Sequence, residues 1–354
     1  MKILRLTTLL DFGGQEKKYI SFTEKPELLQ HQYIFAAIGF GGSAEKILRK
    51  RNFEVHILNR NFSIRNLSNI FSLYKLIRKI KPDVVHTAAA EANFHGIIAA
   101  KLAGVKTIIG EEIGIPNHSS IAQKVFSAVY RLADKVICVS KSVKTHLITI
   151  GEITAYKGIV VYNPVSFSTV FNKSSSESFT MVYIGRLEKV KNVQTLLKAF
   201  AKLKNTEMKL VVVGDGRERS NLETLAKELK IFNRVAFVGF QEEPAEFLAV
   251  ADLFVLPSFS EGFGIAAVEA MFQQVPVLCS NVGGIPEFVQ NGENGWLFNP
   301  NDIDELHSKL EMIISKSEQE RKLIGFQGFN DVKDEFTIEK YIKNLEEIYI
   351  KEYA

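Results

Sequence analysis

Short runs of β-branched residues alternate with amphipathic stretches along the whole chain, and this alternation limits the possible folds more than any other feature. Strands joined by helices imply βαβ units, in which the strands pair in parallel. Helical patterns at 70–80 and 121–132 separate some of the runs. The predicted strands are 3–9, 33–38, 54–58, 83–86, 106–109, 135–139, 180–184, 209–213, 234–237, 253–256 and 276–279.

A polar segment at 174–178 interrupts this alternation, which then begins again. A length of 354 residues suggests two domains at roughly 100–200 residues each. We therefore predict an α/β protein of two doubly wound, Rossmann-like domains, 1–167 and 168–337, that face each other across a cleft. Open parallel sheets bind ligands beyond the carboxyl ends of their strands, so the functional residues are expected there.

The composition excludes several classes of protein. Hydrophobic residues make up 46% of the chain and cysteines number two, which excludes a disordered chain and a disulfide scaffold. Cys138 and Cys279 lie in separate apolar runs, so we expect buried thiols in a reducing compartment. The apolar start at 1–10 continues into Asp11 rather than a cleavage site, and we expect a cytoplasmic protein.

Charge is distributed unevenly along the chain. Residues 1–170 contain 23 Lys and Arg against 12 Asp and Glu, a net charge of +11, whereas residues 171–354 contain 21 against 28, a net −7. A basic half indicates either an anionic partner, such as a membrane surface, or ordinary surface charge. The segment 71–81 predicts a core-facing helix with a basic outer face, and a role at a membrane surface is the alternative.

The most informative segment is 253–270, which reads LFVLPSFSEGFGIAAVEA. A predicted strand ends before Glu261, and Gly262-Phe263-Gly264 begins a helix that carries Glu269. Glycines at a helix start let backbone N–H groups approach an anion, and the helix dipole adds attraction. A carboxylate at Glu269 could accept hydrogen bonds from ribose hydroxyls. The alternative is a plain strand–loop–helix connection with solvated glutamates.

Cations and glycines follow other predicted strands. Arg186 and Lys191 come after strand 180–184, where two cations can hold a diphosphate leaving group or can simply be surface charge. Glycine-rich exits occur at 213–216, 238–240 and 282–287. Each glycine suits a tight strand exit, so a turn role alone would also explain them.

Together these segments resemble glycosyltransferase family 4, whose members have the GT-B fold and transfer sugars with retention from nucleotide-sugar donors. The matching features are Glu261 and Glu269 with seven residues between them, GRL…K at 185–191, VGDG at 213–216 and GG-x-PE at 283–287. Gly13-Gly14 and the segments PDVVHT, ADKVICVS and VVYNPV fit the first half. The resemblance is strong over 180–300 and looser before 165.

The resemblance implies a role for each matching residue. Arg186 and Lys191 would bind the donor diphosphate, Glu269 the ribose, and Glu261 the hydroxyls of the transferred sugar as a catalytic residue. The other implied donor contacts are Gly14 from the first domain, Gly214 at the end of strand 209–213, and the backbone amides of Phe263, Gly264 and Ile265. Val238 and Gly239 would lie near the base. The final helix, about 338–354, would pack back on the first domain.

One position departs from the family pattern. Many relatives have a histidine after the fourth or fifth strand of the first domain, where this chain has Ile113. His118 follows five residues later and cannot be assumed to replace it. Glu112 is a candidate catalytic residue that binds the acceptor or activates its hydroxyl, and a carboxylate that caps a loop is the alternative.

Three further signals carry less weight. The segment 39–44 matches the G-x-G-x-x-G/A dinucleotide fingerprint, but the next strand ends in Asn59-Arg60 instead of an acid, which favours close helix packing. Asp302-Ile303-Asp304 spells Asp-x-Asp, but it follows Asn299-Pro300-Asn301 and suits a helix start, where Asp is favoured as a cap and by the helix dipole. No metal ion or other cofactor is expected. The histidines without metal-ligand spacing are His86, His95 and His118.

We therefore predict a transferase that moves a sugar from a nucleoside diphosphate donor, with UDP favoured, to a hydroxyl of a saccharide or lipid-linked saccharide. The expected setting is the synthesis of cell-surface polysaccharide, with membrane association through the basic half and no nucleic-acid partner. Two alternatives remain open at this point. One is a UDP-sugar epimerase of the same architecture, and the other is a non-catalytic nucleotide-sugar binding protein.

Overall fold

The computed structural model describes residues 1–11, 13–166, 178–242 and 244–354. The predicted boundary at 167/168 and most of the polar segment 174–178 lie outside these residues. The chain divides into two compact units, Met1–Val165 with Thr337–Ala354, and Ser166–Phe336. Each unit contains one parallel sheet connected by helices.

The first unit is built on a seven-stranded sheet. Its strands are β1 (Lys2–Thr7), β2 (Gln32–Ala37), β3 (Glu54–Ile57), β4 (Val84–Ala88), β5 (Thr107–Glu112), β6 (Lys135–Cys138) and β7 (Gly158–Val160). Its connecting helices are α1 (Gly14–Phe22), α2 (Ser43–Lys50), α3 (Ser68–Ile80), α4 (Ala90–Ala103), α5 (Ser120–Arg131) and α6 (Lys141–Thr149). The strand order β3-β2-β1-β4-β5-β6-β7 changes direction beside β1, as in doubly wound folds.

The second unit repeats this plan with a six-stranded sheet in which β8 is central. Its strands are β8 (Thr180–Ile184), β9 (Lys209–Val213), β10 (Val235–Gly239), β11 (Leu253–Leu256), β12 (Val277–Ser280) and β13 (Trp296–Phe298). Its helices are α7 (Val193–Ala201), α8 (Arg219–Glu228), α9 (Ala245–Ala249), α10 (Ile265–Phe272), α11 (Ile303–Ser315) and α12 (Glu318–Val332). The strand order is β10-β9-β8-β11-β12-β13, again with parallel neighbours.

Several predicted strand ends were wrong by one to three residues, and two of these differences are informative. The strand predicted over 3–9 stops at Thr7, and beyond it the chain keeps the 2.9 Å bond from the Gly39 N–H to the Thr8 carbonyl and an isolated bridge between Leu10 and Gly41. The strand predicted to end at residue 109 continues to Glu112. Glycine and glutamate are poor strand formers, so propensity hides this extension. Glu112 therefore lies at a buried strand end and does not cap a loop.

The last helix, α13 (Ile338–Tyr353), belongs to the first unit. It begins where the Thr337 hydroxyl accepts a hydrogen bond from the Lys340 N–H. One side of the helix is apolar and joins the core of the first sheet beside Phe22 and Phe35. The α13 residues in that core are Ile338, Tyr341, Ile342, Leu345 and Tyr349.

A buried ionic cluster surrounds Glu111 of β5. Its carboxylate accepts hydrogen bonds from Arg5 at 3.1 Å and from Lys18, and His86 Nε2 lies 3.2 Å from the same carboxylate. The Tyr349 hydroxyl of α13 lies 2.6 Å from His86 Nδ1 and 3.2 Å from Arg5. Burial lowers the pKa of His86 to about 3, so this imidazole is neutral. Burial opposes ionisation of Glu111, but Lys18, His86 and Arg5 hold its pKa well below the usual range.

The two cysteines and the length of the helices can be compared with the predictions from sequence. Cys138 and Cys279 are free and buried, as predicted, and burial raises the pKa of the Cys138 thiol to about 12. Across the described ranges, none of the helices combines the length and the apolar character needed to cross a lipid bilayer.

Replacing Glu111 by Gln should lower the free energy of unfolding by about 3–5 kcal/mol, because Arg5 and Lys18 would stay buried without a counter-charge. The matched control is Glu339→Gln on α13, since Glu339 pairs with Lys25 in an exposed salt bridge and should cost less than about 1 kcal/mol. Urea unfolding followed by circular dichroism measures both variants. Equal, small losses would show that the cluster does not stabilise the first unit.

Candidate functional site: two carboxyl edges

Asn192 fixes the loop after β8 against the neighbouring loops of the second sheet. Its side-chain amide donates hydrogen bonds to the carbonyls of Pro257 and Pro300, both at 3.0 Å. Its backbone has a left-handed φ of 56°, a conformation that asparagine tolerates better than most residues. The Thr195 hydroxyl donates to its side-chain oxygen at 2.7 Å. The position of Lys191, one residue earlier, is therefore set by buried contacts.

Lys191 and Glu261 meet at this edge. Lys191 Nζ lies 2.5 Å from Glu261 Oε1, and the Ser258 hydroxyl donates to the same oxygen at 2.8 Å. Ser258 is held in turn by Ser280, whose hydroxyl donates to the Ser258 carbonyl at 2.6 Å. The Lys191 side chain is 21% exposed and that of Glu261 is 10% exposed. The pair is shielded, yet a ligand in solvent can reach it.

The helix α10 begins beside this pair, at the residue predicted from the glycine pattern. Gly264 is the cap residue with a left-handed φ of 103°, and a Cβ there would lie 3.2 Å from Ile285. Gly264 therefore supplies no side chain to cap the first amides of α10, which include that of Ile265. Phe263 is buried, and Glu269 lies half-buried one turn into the helix. The geometry suits an anion beside the amino end of α10.

Arg186 lies exposed just after β8. Its carbonyl accepts a 2.9 Å hydrogen bond from the Tyr183 hydroxyl, which fixes the backbone at this point. Within the part of the chain that the structure describes, its guanidinium makes neither a hydrogen bond nor a salt bridge. The side chain can therefore take a ligand without first breaking an internal contact.

Gly214 and Gly239 lie at the exits of β9 and β10. The Gly214 N–H donates to the Gly239 carbonyl at 2.8 Å. Gly214 has a φ of 134°, and a Cβ there would fall 1.9 Å from the Gly185 carbonyl oxygen, so close backbone packing alone requires a glycine. The Val238 carbonyl accepts a 3.0 Å hydrogen bond from Gln241. The structure thus explains these residues as strand exits, and their contact with a base stays a prediction.

In the first unit, Gly14 is exposed and is the first residue of α1. Gly13 precedes it as the cap residue with a φ of 151°, and no side chain caps the helix. A Cβ at Gly13 would lie 2.6 Å from a Glu16 carboxylate oxygen. The family resemblance implied a glycine-rich loop at Gly13-Gly14, and the contact of Gly14 with phosphates stays a prediction.

Glu112 occupies the carboxyl end of β5 and is only 4% exposed. Its Oε1 accepts hydrogen bonds from the Tyr130 hydroxyl at 2.5 Å and from the Asn93 amide at 3.0 Å. The Thr87 hydroxyl donates to Asn93 Oδ1 at 2.7 Å and fixes the orientation of that amide. Burial raises the pKa of Glu112 to about 7, although the bonds from Tyr130 and Asn93 oppose the shift. Such a carboxyl can exchange a proton near neutral pH, as general acid–base chemistry requires.

His118 does not occupy the family's histidine position. Its Nδ1 lies 2.6 Å from Glu152 Oε1, and its ring stacks on Phe126 with 4.4 Å between centroids. The imidazole is therefore held by its own neighbours, and Ile113 remains the residue at the departing position.

The weaker sequence signals have structural explanations. Asp302 caps α11 by accepting from the Glu305 N–H at 2.9 Å, as predicted. In the segment 39–44, a Cβ at Gly42 would fall 1.8 Å from Asp11, so close packing explains that glycine. His95 lies 3.1 Å from the Ser63 carbonyl. The described ranges hold no group of three or more His, Cys, Asp or Glu placed to bind a metal ion.

Sequence reasoning missed the residues that hold Glu112 and the loop of Glu261 in place. Asn93 was visible as a lone amide in an apolar helical run, which is a signal for a buried hydrogen-bonding role. Tyr130 and Ser280 had no such signal, because each contacts its partner from a distant part of the chain.

Two family models together cover most of the chain. Residues 13–168 match Glycosyltransferase Family 4, and residues 167–326 match Glycosyl transferases group 1. The Escherichia coli UDP-Gal:alpha-D-GlcNAc-diphosphoundecaprenol alpha-1,3-galactosyltransferase is 28% identical over 85% of this chain and 84% of its own length. The Bacillus anthracis N-acetyl-alpha-D-glucosaminyl L-malate synthase is 37% identical, but only over 50% of this chain and 46% of that protein.

Among solved structures, Anabaena HepE in complex with UDP-glucose aligns with a TM-score of 0.86 at 23% identity, over 99% of this chain and 100% of that one. Two parallel α/β units with this likeness define the GT-B fold, and the matched family models define a glycosyltransferase. The chain belongs to glycosyltransferase family 4, as its motifs predicted.

The stability of the Glu112→Gln variant, relative to that of the unaltered protein, should increase as the pH rises from 4.5 to 7. Burial raises the pKa of Glu112 from 4.5 to about 7, so in this window the unfolded state has lost the proton that the folded state keeps. The free energy of unfolding of the unaltered protein therefore falls as pH rises, by about 3 kcal/mol in total, whereas the variant has no titrating carboxyl at this position. Urea unfolding of both proteins at several pH values measures the difference. A difference that does not vary with pH would contradict the raised pKa.

Proposed function

We propose that the chain transfers a sugar from a UDP-sugar to a hydroxyl of a glycan or lipid-linked saccharide, with retention at the anomeric carbon and without a metal ion. The observation that carries this proposal is the cluster of Lys191, Glu261 and Ser258 beside the amino end of α10. The printed name of the Escherichia coli relative specifies UDP-Gal and an acceptor on diphosphoundecaprenol. Because such acceptors carry growing glycans, we assign the reaction to cell-surface polysaccharide synthesis.

Positive charge at the carboxyl edge of the second sheet supports binding of the donor diphosphate. Arg186 is exposed with a guanidinium that is available to a ligand, and Lys191 is held in place by Glu261. The uncapped amides at Gly264 and Ile265 add the positive end of a helix dipole. Fixed donors aimed at a departing diphosphate stabilise the charge that grows on it. This charge distribution is our reason for proposing a metal-independent reaction.

Glu261 is proposed to bind hydroxyls of the transferred sugar and to stabilise positive character on its ring. In a retaining transfer, the bond from the anomeric carbon to the diphosphate breaks, and the acceptor oxygen forms its bond on the same face. The acceptor proton passes to an oxygen of the leaving phosphate. Glu112, with its proton-exchanging carboxyl, is proposed to bind the acceptor hydroxyl or activate it. Glu269 is proposed to bind the ribose.

The remaining donor contacts are proposed on family resemblance together with position. Each lies at a strand exit or helix start of one of the two sheets, where parallel α/β proteins bind ligands. These residues are Gly14, Gly214, Val238, Gly239 and Phe263.

UDP should raise the melting temperature of the protein by a few degrees at about 100 times its dissociation constant, which corresponds to about 2.7 kcal/mol. GDP, ADP and NAD serve as comparison ligands in the same thermal-shift panel. Arg186→Ala and Lys191→Ala should each weaken UDP binding by about 1.5–3 kcal/mol. The control Lys189→Ala removes an exposed cation from the same turn and should leave the shift unchanged. A shift with NAD alone would overturn the proposed donor class.

Substitutions of Glu261 and Glu269 should have different effects on UDP binding and on turnover. Glu269→Gln should weaken UDP binding, because its carboxylate is assigned to the ribose. Glu261→Gln should leave UDP affinity nearly unchanged and lower kcat, because its carboxylate is assigned to the sugar. Calorimetry with UDP and a transfer assay with UDP-sugars measure the two effects. The reverse pattern would exchange the roles, and isomerised UDP-sugar formed without an acceptor would indicate an epimerase.

A further inference from the structure

Helices α3, α4 and α5 lie side by side along the first sheet and expose a mixed basic and apolar surface. We call this surface the basic face. Its exposed members are Leu67, Phe71, Lys75, Arg78, Lys79, Lys101, Leu102, Ile121, Lys124, Val125 and Arg131.

The largest apolar side chains of the basic face are strongly exposed. Leu67 and Phe71 are each 60% exposed, and Ile121 is 77% exposed. Single exposed apolar residues are normal on protein surfaces, whereas larger groups of them mark interaction sites. Here the exposed apolar pairs are on α3 and α5, the two helices that flank α4. Leu67, at the cap of α3, lies one helical turn before Phe71, and Ile121 lies one turn before Val125 on α5, so α3 and α5 each present a pair on one side.

The charge of this region is one-sided. Residues 60–131 contain ten Lys and Arg against four acidic residues, and none of the four acids is exposed. Asp83 bonds the Lys2 N–H, and Glu91 bonds Thr8, while the other two acids are the buried glutamates at the end of β5. For the residues that the structure describes, no salt bridge involves a basic side chain of the basic face. Among the described residues, the lysines and arginines of the basic face therefore have no ion-pair partner.

The apolar pairs are concentrated at one end of the basic face. Helices that connect parallel strands run antiparallel to them, so the amino ends of α3 and α5 lie at the carboxyl edge of the sheet. Phe71 and Ile121 are near these amino ends, at the same edge as Glu112. Arg78 lies seven residues after Phe71, about 10 Å along the helix.

We propose that the basic face docks on an anionic lipid bilayer. The apolar pairs of α3 and α5 insert among the headgroups, and the lysines and arginines bind anionic phosphates at the surface. A polyanion in solution would need only the positive charge, so the exposed apolar pairs favour a bilayer. This docking presents the edge that carries Glu112 to the membrane, and its value for a lipid-linked acceptor rests on the proposed function.

Co-sedimentation with lipid vesicles tests the proposal on the full chain. One set of vesicles contains only phosphatidylcholine, and the other contains about 30% phosphatidylglycerol. One variant removes charge, Lys75→Gln with Lys79→Gln and Lys124→Gln, and the other removes apolar contact, Phe71→Ser with Ile121→Ser. The charge control is Lys46→Gln with Lys50→Gln on α2, and the apolar control is Leu323→Ser with Phe326→Ser on α12, all at exposed positions.

The unaltered protein should bind the anionic vesicles at least tenfold more tightly than the neutral ones, and added salt should release it. The charge variant should bind about 100-fold more weakly, at about fivefold for each lysine, and the apolar variant about tenfold more weakly. Both controls should stay within about twofold. Absence of binding to anionic vesicles, or equal losses in the controls, would overturn the proposal.

Two further measurements distinguish bilayer docking from binding to a soluble polyanion and from the proposed function. Heparin binding that matches vesicle binding in every variant, with no effect of Phe71→Ser and Ile121→Ser, would indicate a soluble polyanion and overturn bilayer docking. The thermal shift with UDP should be the same in all variants, because none of the changed residues is assigned to the donor site. Vesicle binding without any UDP shift would sustain the docking and contradict the proposed function.

Discussion

Parallel pairing throughout both sheets decides where chemistry can occur in this chain. In a parallel sheet every strand ends at the same edge, so residues that follow different strands become neighbours whatever their separation in sequence. Lys191 follows β8 and Glu261 follows β11, and these strands pair directly. The two side chains therefore meet at 2.5 Å across 70 residues of chain. The site depends on this constraint more than on any single loop.

The alternation of side chains along β5 gives two adjacent glutamates opposite shifts in pKa. Glu111 and Glu112 are consecutive in β5, so their side chains point to opposite faces of the sheet. Glu111 meets Arg5 and Lys18 and stays ionised, with a pKa held well below the usual range. Glu112 accepts hydrogen bonds from two neutral donors, Asn93 and Tyr130, and burial raises its pKa to about 7. One carboxylate is thus ionised inside the cluster around Arg5, while the other remains able to exchange a proton.

The sequence predicted most of the strands, the helix start at Gly264 and the family, because each depends on local pattern. It did not predict the end of β5, since a Gly-Glu-Glu segment looks like a loop by propensity. The sequence also did not identify the cluster around Arg5. A charged residue within a buried strand indicates that a partner must exist, but it does not say which residue the partner is. The partners of Arg5 lie 106 and 344 residues away. Contacts of that kind follow from topology, and composition and spacing do not contain them.

The bond between Lys191 and Glu261 bears on how the proposed donor site works. An ammonium group has three hydrogens, so Lys191 can keep its bond to Glu261 and still donate to a phosphate oxygen. The neighbouring loop is fixed by Asn192, which limits how far the ammonium can move. In the proposed reaction the lysine then links the carboxylate assigned to the sugar with the diphosphate that leaves. Little reorganisation is needed as charge builds on the leaving group, because the two charges are already placed.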